Sequence, residues 1–548
     1  LLDHTRHYLK MAIKGYLRCL VAVDHFDLHI FRICSLWFNA SATIDKNGES
    51  ESAEVSKIIG DTVDSNKLKS HKWLRILYQL AANLGKRDGN PLQQTLHKLI
   101  LQISSEHPHH SVYVLLALQN GEFQHPQRGE VPRSKGKAAS AVGAAAGTSN
   151  ERIRAATDVL TKLKTKDQLG PWSNPALRQR HFELPALVEG MERLTAGYIQ
   201  LADLYVDDDH KKDTRIYDNR FDLAHAHNPT DKGRSVPHLQ TLAVVSHTLA
   251  IDPTCAYKDV VGIFEFEKGF KTAGGVNLPK IIICKGTDGK LYKQLVKGHD
   301  DIRQDAVMQQ AFQMVNGWLQ RDPATRKRML KIGTYKVVPL SQLSGVLEWC
   351  DGTQPIGEYL VNGSKNAHVR YRPQDWNSKD CRKRLAKEGD SKKKKGLLKE
   401  YQMISQNFKP VMRRFFTEHF AEPAQWFERR LAYTRSVASS SIVGYVLGLG
   451  DRHPNNILIH NKSAEITHID LGVAFDQGTR LNTPETVPFR LTRDMVDGMG
   501  VTGYEGVFRL CCIETMRLMR GSKESILTIL EVFFNDPLYS FAVAPNKL

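Results

Sequence analysis

The chain has 548 residues, of which 41% are hydrophobic and 25% are charged. This is the composition of an ordinary globular protein, and the length suffices for about two to four domains with sizeable cores. No run of eighteen apolar residues occurs, and the start of the sequence shows no signal-peptide pattern. Because the first residue is Leu1 and not Met, we expect a piece of a longer protein.

The formal charge of +17 raises the question of nucleic-acid binding. Much of it lies in polar stretches such as residues 152–180 and 392–395, and solvated basic faces account for such stretches. No basic stripe is interleaved with aromatic residues, as base stacking would require. The eight cysteines form no CxxC pair or disulfide framework, which favours a reducing compartment.

The first 205 residues are predicted to be helical. Apolar residues recur at three- and four-residue spacing in residues 9–20, 31–38, 73–84 and 92–103. Strand patterns and catalytic spacing are missing there, so we predict a helical scaffold similar to a solenoid of helix pairs, although no clean sequence repeat accompanies it. Residues 127–149 are rich in Ala, Gly, Ser and Lys and predict a mobile loop ending near residue 150.

A sheet is predicted next. β-branched runs at residues 260–266, 281–284, 291–296 and 335–340 alternate with Gly and Pro turns, which is typical of a small, mainly antiparallel sheet. Beyond residue 354 the pattern becomes helical again, notably at residues 426–449 and 507–520. A polar insertion covers residues 377–395, and two short β-like runs lie at residues 457–460 and 465–469. The sequence therefore divides into residues 1–205, 206–350 and 351–548.

Asp451, Asn456 and Asp470 have the spacing of a phosphoryl-transfer site. Such transfer needs a metal-binding carboxylate and amide, a lysine on the phosphates, and a carboxylate near the acceptor hydroxyl. In protein kinases an Asn follows the catalytic Asp by five residues, and a D-x-G turn after a strand supplies a second metal-binding Asp. Here the order Asp-Arg-His reverses the usual His-Arg-Asp. Asp and Asn at such spacing also stabilise ordinary turns, so the downstream HIDLG segment carries much of the weight.

Three upstream features complete such a site. Lys297 follows a predicted strand and is the candidate for the phosphates, with Asp300 or Asp305 as its acidic partner. The loop at residues 271–277 lacks both the Walker and the kinase glycine patterns, so it is either a phosphate cover or a plain hairpin turn. Residues 345–350 fit a hinge between lobes, in which the Trp349 ring stacks on adenine.

Together these residues resemble the phosphatidylinositol 3-kinase-related protein kinases, in which Asp-Arg-His-x-x-Asn and Asp-x-Gly replace the usual kinase forms. The resemblance is dense from residue 264 to 541 and closer than family level, as in LVKGHDDIRQDAVMQQ, which begins at Leu295, and THIDLGVAFDQG, which begins at Thr467. It is thinner before, where HPHHSVYVLLAL, which begins at His107, resembles the end of the FAT region that embraces the kinase in this family.

The resemblance implies an α+β fold: a two-lobed kinase, with a small β-rich lobe and a larger helical lobe, preceded by an α-helical FAT segment. ATP binds between two such lobes. Asp451 and His453 would act on the acceptor hydroxyl, Asn456 and Asp470 would bind Mg²⁺, or Mn²⁺ in its place, and Lys297 would contact the phosphates, oriented by Asp300 and Asp305. The nucleotide would also contact Ala273, Gly274, Gly275, Leu295, Tyr335, Glu348, Trp349, Cys350, Pro355, Leu458 and Ile469. The activation segment would include Thr483, Pro484, Glu485, Thr486, Val487, Pro488 and Phe489.

The resemblance further implies a nuclear serine/threonine kinase, with a further pool in the cytoplasm, that responds to DNA double-strand breaks and phosphorylates Ser or Thr followed by Gln. It would be a homodimer that works with a break-sensor complex of the MRN type, contacts DNA through partners and does not bind membranes.

Two rival functions share the fold. A phosphatidylinositol-type lipid kinase would carry a cluster of Lys and Arg in the activation segment to bind several phosphates, whereas residues 470–489 contain only Arg480 as a base. A catalytically silent scaffold of the same family would lack the polar groups named above, and all of them are present.

Overall fold

The computed structural model of the protein describes residues 2–23, 29–42, 51–65, 67–86, 90–122, 139–165, 175–206, 215–216, 239–274, 277–363, 365–389, 395–475, 477–481 and 484–534. The chain divides into two compact units. The first unit comprises Leu1–Val307, Lys336–Trp349 and Glu524–Leu548, and the second comprises Met308–Tyr335 and Cys350–Lys523.

The first unit begins with helices. Those among its described N-terminal residues are α1 (Leu2–Ala22), α2 (His29–Ala42), α3 (Glu51–Asp64), α4 (Leu77–Ala82), α5 (Pro91–Glu106), α6 (Pro108–Gln119), α7 (Ala139–Lys164) and α8 (Pro175–Asp203). The helices predicted at residues 9–20, 31–38 and 92–103 are confirmed within α1, α2 and α5. The helix predicted at residues 73–84 begins instead as a 3₁₀ turn, Ser70–Ile76, and continues as α4. A 3₁₀ turn is a common start for an α-helix.

Only residues 139–149 of the loop predicted at residues 127–149 lie in the described part of the chain. Residues 123–138 lie outside the described part of the chain, and residues 139–149 form the first turns of α7, so the prediction of a loop there is wrong. The physical reason is that alanine has the highest intrinsic helix propensity, and a segment that lacks a large apolar face can still extend a helix that is packed further along.

A seven-stranded antiparallel sheet completes the first unit. Its strands are β1 (Arg215–Ile216), β2 (Ile263–Phe266), β3 (Gly269–Thr272), β4 (Lys280–Gly286), β5 (Leu291–Lys297), β6 (Val337–Pro339) and β7 (Gly345–Glu348). They pair in the order β1-β3-β4-β5-β7-β6, and β2 also pairs with β4. The predicted antiparallel sheet is confirmed.

Helix α8 packs against this sheet through buried polar contacts. The Tyr198 hydroxyl donates to Gln294 Oε1 at 2.6 Å, and both side chains are fully buried. Lys280 Nζ donates to the carbonyl oxygen of Ala202 at 2.7 Å. Burial lowers the pKa of Lys280 to about 8, although Asp203 opposes the shift. The last turns of α8 are therefore fastened to strands β4 and β5.

The second unit is mainly helical. Helix α9 (Arg303–Arg321) begins in the first unit and continues into the second, whereas α19 (Lys523–Phe534), the last helix of the described chain, belongs to the first unit apart from its first residue. Between them lie α10 (Pro323–Lys327), α11 (Ile356–Leu360), α12 (Ala367–Tyr371), α13 (Ser378–Gly389), α14 (Lys395–Asn407), α15 (Arg413–His419), α16 (Pro423–Leu447), α17 (Arg493–Gly498) and α18 (Val507–Gly521).

A small antiparallel sheet lies in this unit, with strands β8 (Thr353–Pro355), β9 (Ile457–His460) and β10 (Ile466–His468) in the order β10-β9-β8. Helix α16 runs through the core, where the fully buried Tyr433 donates its hydroxyl to the carbonyl oxygen of Met495 at 3.1 Å. Ser436 Oγ on the same helix accepts from the Ile466 amide at 3.0 Å, which anchors β10. None of the helices in the described ranges is long and apolar enough to cross a membrane.

Candidate active site

The loop that carries Asp451 begins with a glycine that no other residue replaces easily. Helix α16 is capped by Gly448, whose φ of 64° lies in the left-handed region. A Cβ atom at this position would lie 2.1 Å from the carbonyl oxygen of Phe475. The Phe475 amide in turn donates to Leu447 O at 3.0 Å, and the Gly450 amide donates to Val473 O at 3.0 Å. The end of α16 is thus bonded directly to the segment that follows Asp470.

Arg452 connects the two halves of the motif. Its side chain is 3% exposed, and its guanidinium donates to carbonyl oxygens of both segments. Nε donates to Gly450 O at 2.7 Å, Nη1 donates to Ile469 O at 2.7 Å, and Nη2 donates to Asp470 O. The planar guanidinium presents five donors in a fixed fork, so this side chain joins its own loop to backbone that lies 17 and 18 residues further along the chain.

Asn456 is positioned by the strands that flank it. In the β9–β10 pair Ile457 lies opposite His468, so the preceding Asn456 lies beside Ile469, whose amide donates to Asn456 O at 3.0 Å. The Asn456 side chain is 5% exposed, and its Nδ2 donates to Asp451 O at 3.1 Å. That bond leaves Oδ1 as the amide atom available to a metal.

Both carboxylates of the motif have unusual backbones. Asp451 has a φ of 55° and Asp470 a φ of 58°, in the left-handed region that residues other than glycine seldom adopt. Conformations of this kind cost on the order of 1–3 kcal/mol and persist where surrounding contacts fix them, which is common at functional sites. The contacts of Arg452 and of the Gly450 amide supply that constraint here.

Glu485 contacts the catalytic loop from the predicted activation segment. Both of its carboxylate oxygens lie 3.0 Å from the Asp451 amide nitrogen, which donates to them. The Glu485 amide donates to Gly478 O at 3.0 Å. Thr483 lies outside the described residues, and Val487 and Phe489 are exposed by 48% and 38%. Pro484 and Thr486 are also exposed, and Pro488 is half-buried.

The side chains of His453 and Asp470 are exposed, whereas the neighbouring His468 is buried, and burial together with Arg452 lowers the pKa of His468 to about 3. A carboxylate on Asp470 and an amide oxygen on Asn456 are hard oxygen ligands of the kind that Mg²⁺ binds. The donor set therefore fits a magnesium ion.

In the first unit, Lys297 forms an ion pair with Asp300, one of the two acidic residues predicted to orient it. Lys297 Nζ lies 3.3 Å from Asp300 Oδ2, and the lysine side chain is 13% exposed. Asp305 is 2% exposed and lies in the first turn of α9. The ion pair with Asp300 holds an ammonium group at the end of β5.

The glycine loop joins β3 to β4. The Ala273 amide donates to Pro279 O at 2.7 Å and closes the hairpin, while Gly274 is exposed and a Cβ there would meet nothing within 4 Å. Gly275 lies outside the described residues. The accessible backbone at Gly274 is compatible with a phosphate cover as well as with a plain turn.

The other predicted nucleotide contacts are divided between the two units. In the first, Leu295 pairs with Leu347, Glu348 accepts from the Lys336 amide at 2.9 Å, and the half-buried Trp349 donates its amide to Lys293 O at 3.3 Å. In the second unit the structure brings Pro355 opposite Leu458 on adjacent strands. The other predicted residues of that unit are Tyr335, which is 4% exposed, and Cys350 and Ile469, which are half-buried.

Sequence reasoning missed two residues at this site. The sequence analysis assigns no role to Arg452, although a basic residue between Asp451 and His453 in a catalytic motif is a usable signal. Glu485 was assigned only to the activation segment. Its bond to the Asp451 amide spans 34 residues, and no local pattern predicts such a contact.

A match to a known protein family defines the class of protein to which the chain belongs. Residues 291–543 match the family described as phosphatidylinositol 3- and 4-kinase. The fold is thus that of a kinase of this superfamily.

More specific relatives cover nearly the whole chain. The chain is 46% identical to the serine-protein kinase ATM of Sus scrofa and 41% identical to the serine/threonine-protein kinase ATM of Arabidopsis thaliana, over 99% of its length in both cases. It spans 17% and 13% of those relatives. The solved FAT and kinase domain of CtTel1 superposes with a TM-score of 0.79 and 34% identity, over 99% of this chain and 34% of that one. The chain belongs to the phosphatidylinositol 3-kinase-related protein kinases, where its relatives are ATM and Tel1.

Proposed function

We propose that this protein is a non-specific serine/threonine protein kinase that transfers the γ-phosphate of ATP to Ser or Thr followed by Gln. The observation that carries the proposal is the Arg452 side chain, which fastens the Asp451 loop and the Asp470 segment to each other. Phosphoryl transfer depends on positioned charges more than on covalent chemistry, so a rigid frame around two carboxylates is what the reaction requires.

The proposed roles are those that the resemblance implies for these residues. Asp451 orients the acceptor hydroxyl and accepts its proton, with the exposed His453 beside it in the loop. Asn456 and Asp470 hold Mg²⁺, or Mn²⁺ in its place. When bound, the metal neutralises charge on the phosphates. Lys297, held by Asp300, contacts the phosphates.

The activation segment favours a protein substrate. From Asp470 to Phe489 it carries one basic residue, Arg480, whereas a phosphorylated inositol needs several charges. The relatives that cover the chain bear the names of serine- or serine/threonine-protein kinases. A protein kinase activity therefore has more support than a lipid kinase activity.

The wider role is proposed from the same kinship. The protein acts in the DNA double-strand-break checkpoint, in the nucleus with a further cytoplasmic pool, and works with a break-sensor complex of the MRN type. It assembles as a homodimer, a proposal supported by the solved relative described as the complete CtTel1 dimer with C2 symmetry, which has a TM-score of 0.79 and 34% identity over 99% of this chain and 18% of that one. Residues 1–205 act as the FAT segment, 206–350 as the small lobe with the hinge, and 351–548 as the large lobe.

The test compares Asp470→Ala with Asp380→Ala, an exposed acid on α13 that serves as the matched control. Loss of one preorganised electrostatic group commonly costs about a hundred- to a thousandfold in rate, so we expect Asp470→Ala to lose that much kcat while the control keeps wild-type kcat. The substrates are a Ser-Gln peptide, the same peptide with Ser-Ala, and phosphoinositide vesicles, each with Mg-ATP. Labelling of the vesicles alone would refute the protein-kinase proposal, and wild-type turnover by Asp470→Ala would refute the site.

A further inference from the structure

A cluster of buried polar side chains lies outside the site described above, within the first unit. Its centre is His107, which links α5 to α6 and is fully buried. Glu106 is 5% exposed, and Cys255, from the segment before β2, is 7% exposed. One ligand atom from each of the three lies within 4.8 Å of the other two. An imidazole, a carboxylate and a thiol are the side chains that bind Zn²⁺ in proteins.

The spacing of the cluster suits a tetrahedral zinc ion. His107 Nε2 lies 3.7 Å from Cys255 Sγ. A nitrogen about 2.0–2.1 Å and a sulfur about 2.3 Å from the same tetrahedral ion are about 3.5 Å apart, so the two groups need to move by only a few tenths of an ångström. Ser70 Oγ lies 3.0 Å from His107 Nε2 and also bonds the Glu106 carboxylate, so a further oxygen lies next to two of the three ligands.

The other nitrogen of the His107 ring has the partner that a metal-binding histidine usually has. Nδ1 lies 2.6 Å from the Tyr257 hydroxyl oxygen. When Nδ1–H donates to that oxygen, the neutral ring presents its lone pair on Nε2, which is the atom that faces Cys255 and Ser70. The hydrogen bond therefore fixes the orientation of the ring and is compatible with the tautomer that a metal ligand needs.

The turn that presents Cys255 is built for one conformation. Cys255 has a φ of 62° and Tyr257 a φ of 44°. Asp252 fixes both: its Oδ2 accepts from the Tyr257 amide at 2.8 Å, and its carbonyl oxygen accepts from the Cys255 amide at 3.0 Å. Two left-handed residues in one short turn aim a thiol and a hydroxyl at the same histidine.

We propose that Glu106, His107 and Cys255 bind a structural Zn²⁺ ion that joins the α5–α6 junction to the segment leading into the seven-stranded sheet. Binding displaces the thiol proton of Cys255 to solvent and leaves a thiolate on the metal. The cluster is buried and belongs to the first unit, whereas Asp451 and Asp470 belong to the second, so we assign the ion a structural role in fastening the helical scaffold to the segment before the sheet.

The test is the metal content of the whole chain, purified without a histidine tag and without added metal. We expect about one zinc ion per chain by mass spectrometry, a fall to background in Cys255→Ser, and no change in Cys19→Ser, an exposed cysteine on α1 that is the matched control. Asp470→Ala should keep its zinc, which separates this proposal from the kinase site.

A second measurement covers a Cys255→Ser variant that does not fold. Exchange of the wild-type protein with Co²⁺ should produce a thiolate-to-cobalt absorption band and the strong visible bands of a tetrahedral ion, and chelation should abolish both. Zinc-free wild-type protein that takes up no cobalt would overturn the proposal, because the cluster would then be only a hydrogen-bonded network. Zinc retained in a folded Cys255→Ser variant would overturn it too.

Discussion

Glu485→Ala should slow catalysis without weakening substrate binding. Glu485 is half-buried and accepts the hydrogen bond of the Asp451 amide with both oxygens at 3.0 Å. Because Asp451 has a φ of 55°, its backbone depends on such contacts to keep the carboxylate in place. Glu485 contacts the Asp451 loop from a position 34 residues further along the chain.

The magnitude follows from the kind of bond that is lost. A hydrogen bond to a charged group contributes about 1.5–3 kcal/mol, and the partial exposure of Glu485 puts this one at the low end. If about 1.5 kcal/mol is lost from the positioning of Asp451, kcat falls about tenfold. Glu485→Gln keeps a neutral acceptor and should lose only about half that free energy, or roughly threefold in kcat.

The assay is steady-state phosphorylation of a Ser-Gln peptide at saturating Mg-ATP, with the melting temperature as a control for folding. We expect a lower kcat, an unchanged KM for the peptide and for ATP, and an almost unchanged melting temperature. A raised peptide KM at wild-type kcat would refute the reasoning, because Glu485 would then act on the substrate and not on Asp451.

Two further changes test the packing around the site and in the scaffold. Gly448→Ala should lower the melting temperature clearly, because its Cβ would lie 2.1 Å from Phe475 O at a φ of 64°, whereas Gly521→Ala, with nothing within 4 Å, should not; equal melting temperatures would contradict the geometry. The pKa of Lys280 is about 8 in the folded protein and about 10.5 in the unfolded chain. Between these pH values the folded state binds fewer protons than the unfolded state, so the free-energy cost of burying Lys280 falls as pH rises. In urea unfolding, the free energy of unfolding of the wild type should rise by up to about 1.4 kcal/mol per pH unit between pH 8 and 10.5 relative to Lys280→Met. The control Lys290→Met, at an exposed position, should show the same pH dependence as wild type. A Lys280→Met variant with the wild-type pH dependence would refute the assignment.

The chemistry of the site was readable from the sequence because it is written locally. Asp451 and Asn456 are five residues apart, and Asp470 follows the strand that pairs with the one after Asn456, so their order along the chain already predicted a kinase site. The long helices and the antiparallel sheet were readable for the same reason, since apolar spacing reflects the face that each element buries.

The tertiary structure decided everything that depends on distant partners. Strand β8 exists because Thr353–Pro355 pairs with β9 about a hundred residues later, and three residues alone carry no strand signal. Arg452 and Glu485 acquire their roles only when two segments meet, and the Glu106, His107 and Cys255 cluster joins positions almost 150 residues apart. A side chain's own sequence neighbourhood specifies its charge and its local conformation, but which backbone groups it satisfies depends on burial, and burial is a property of the folded chain.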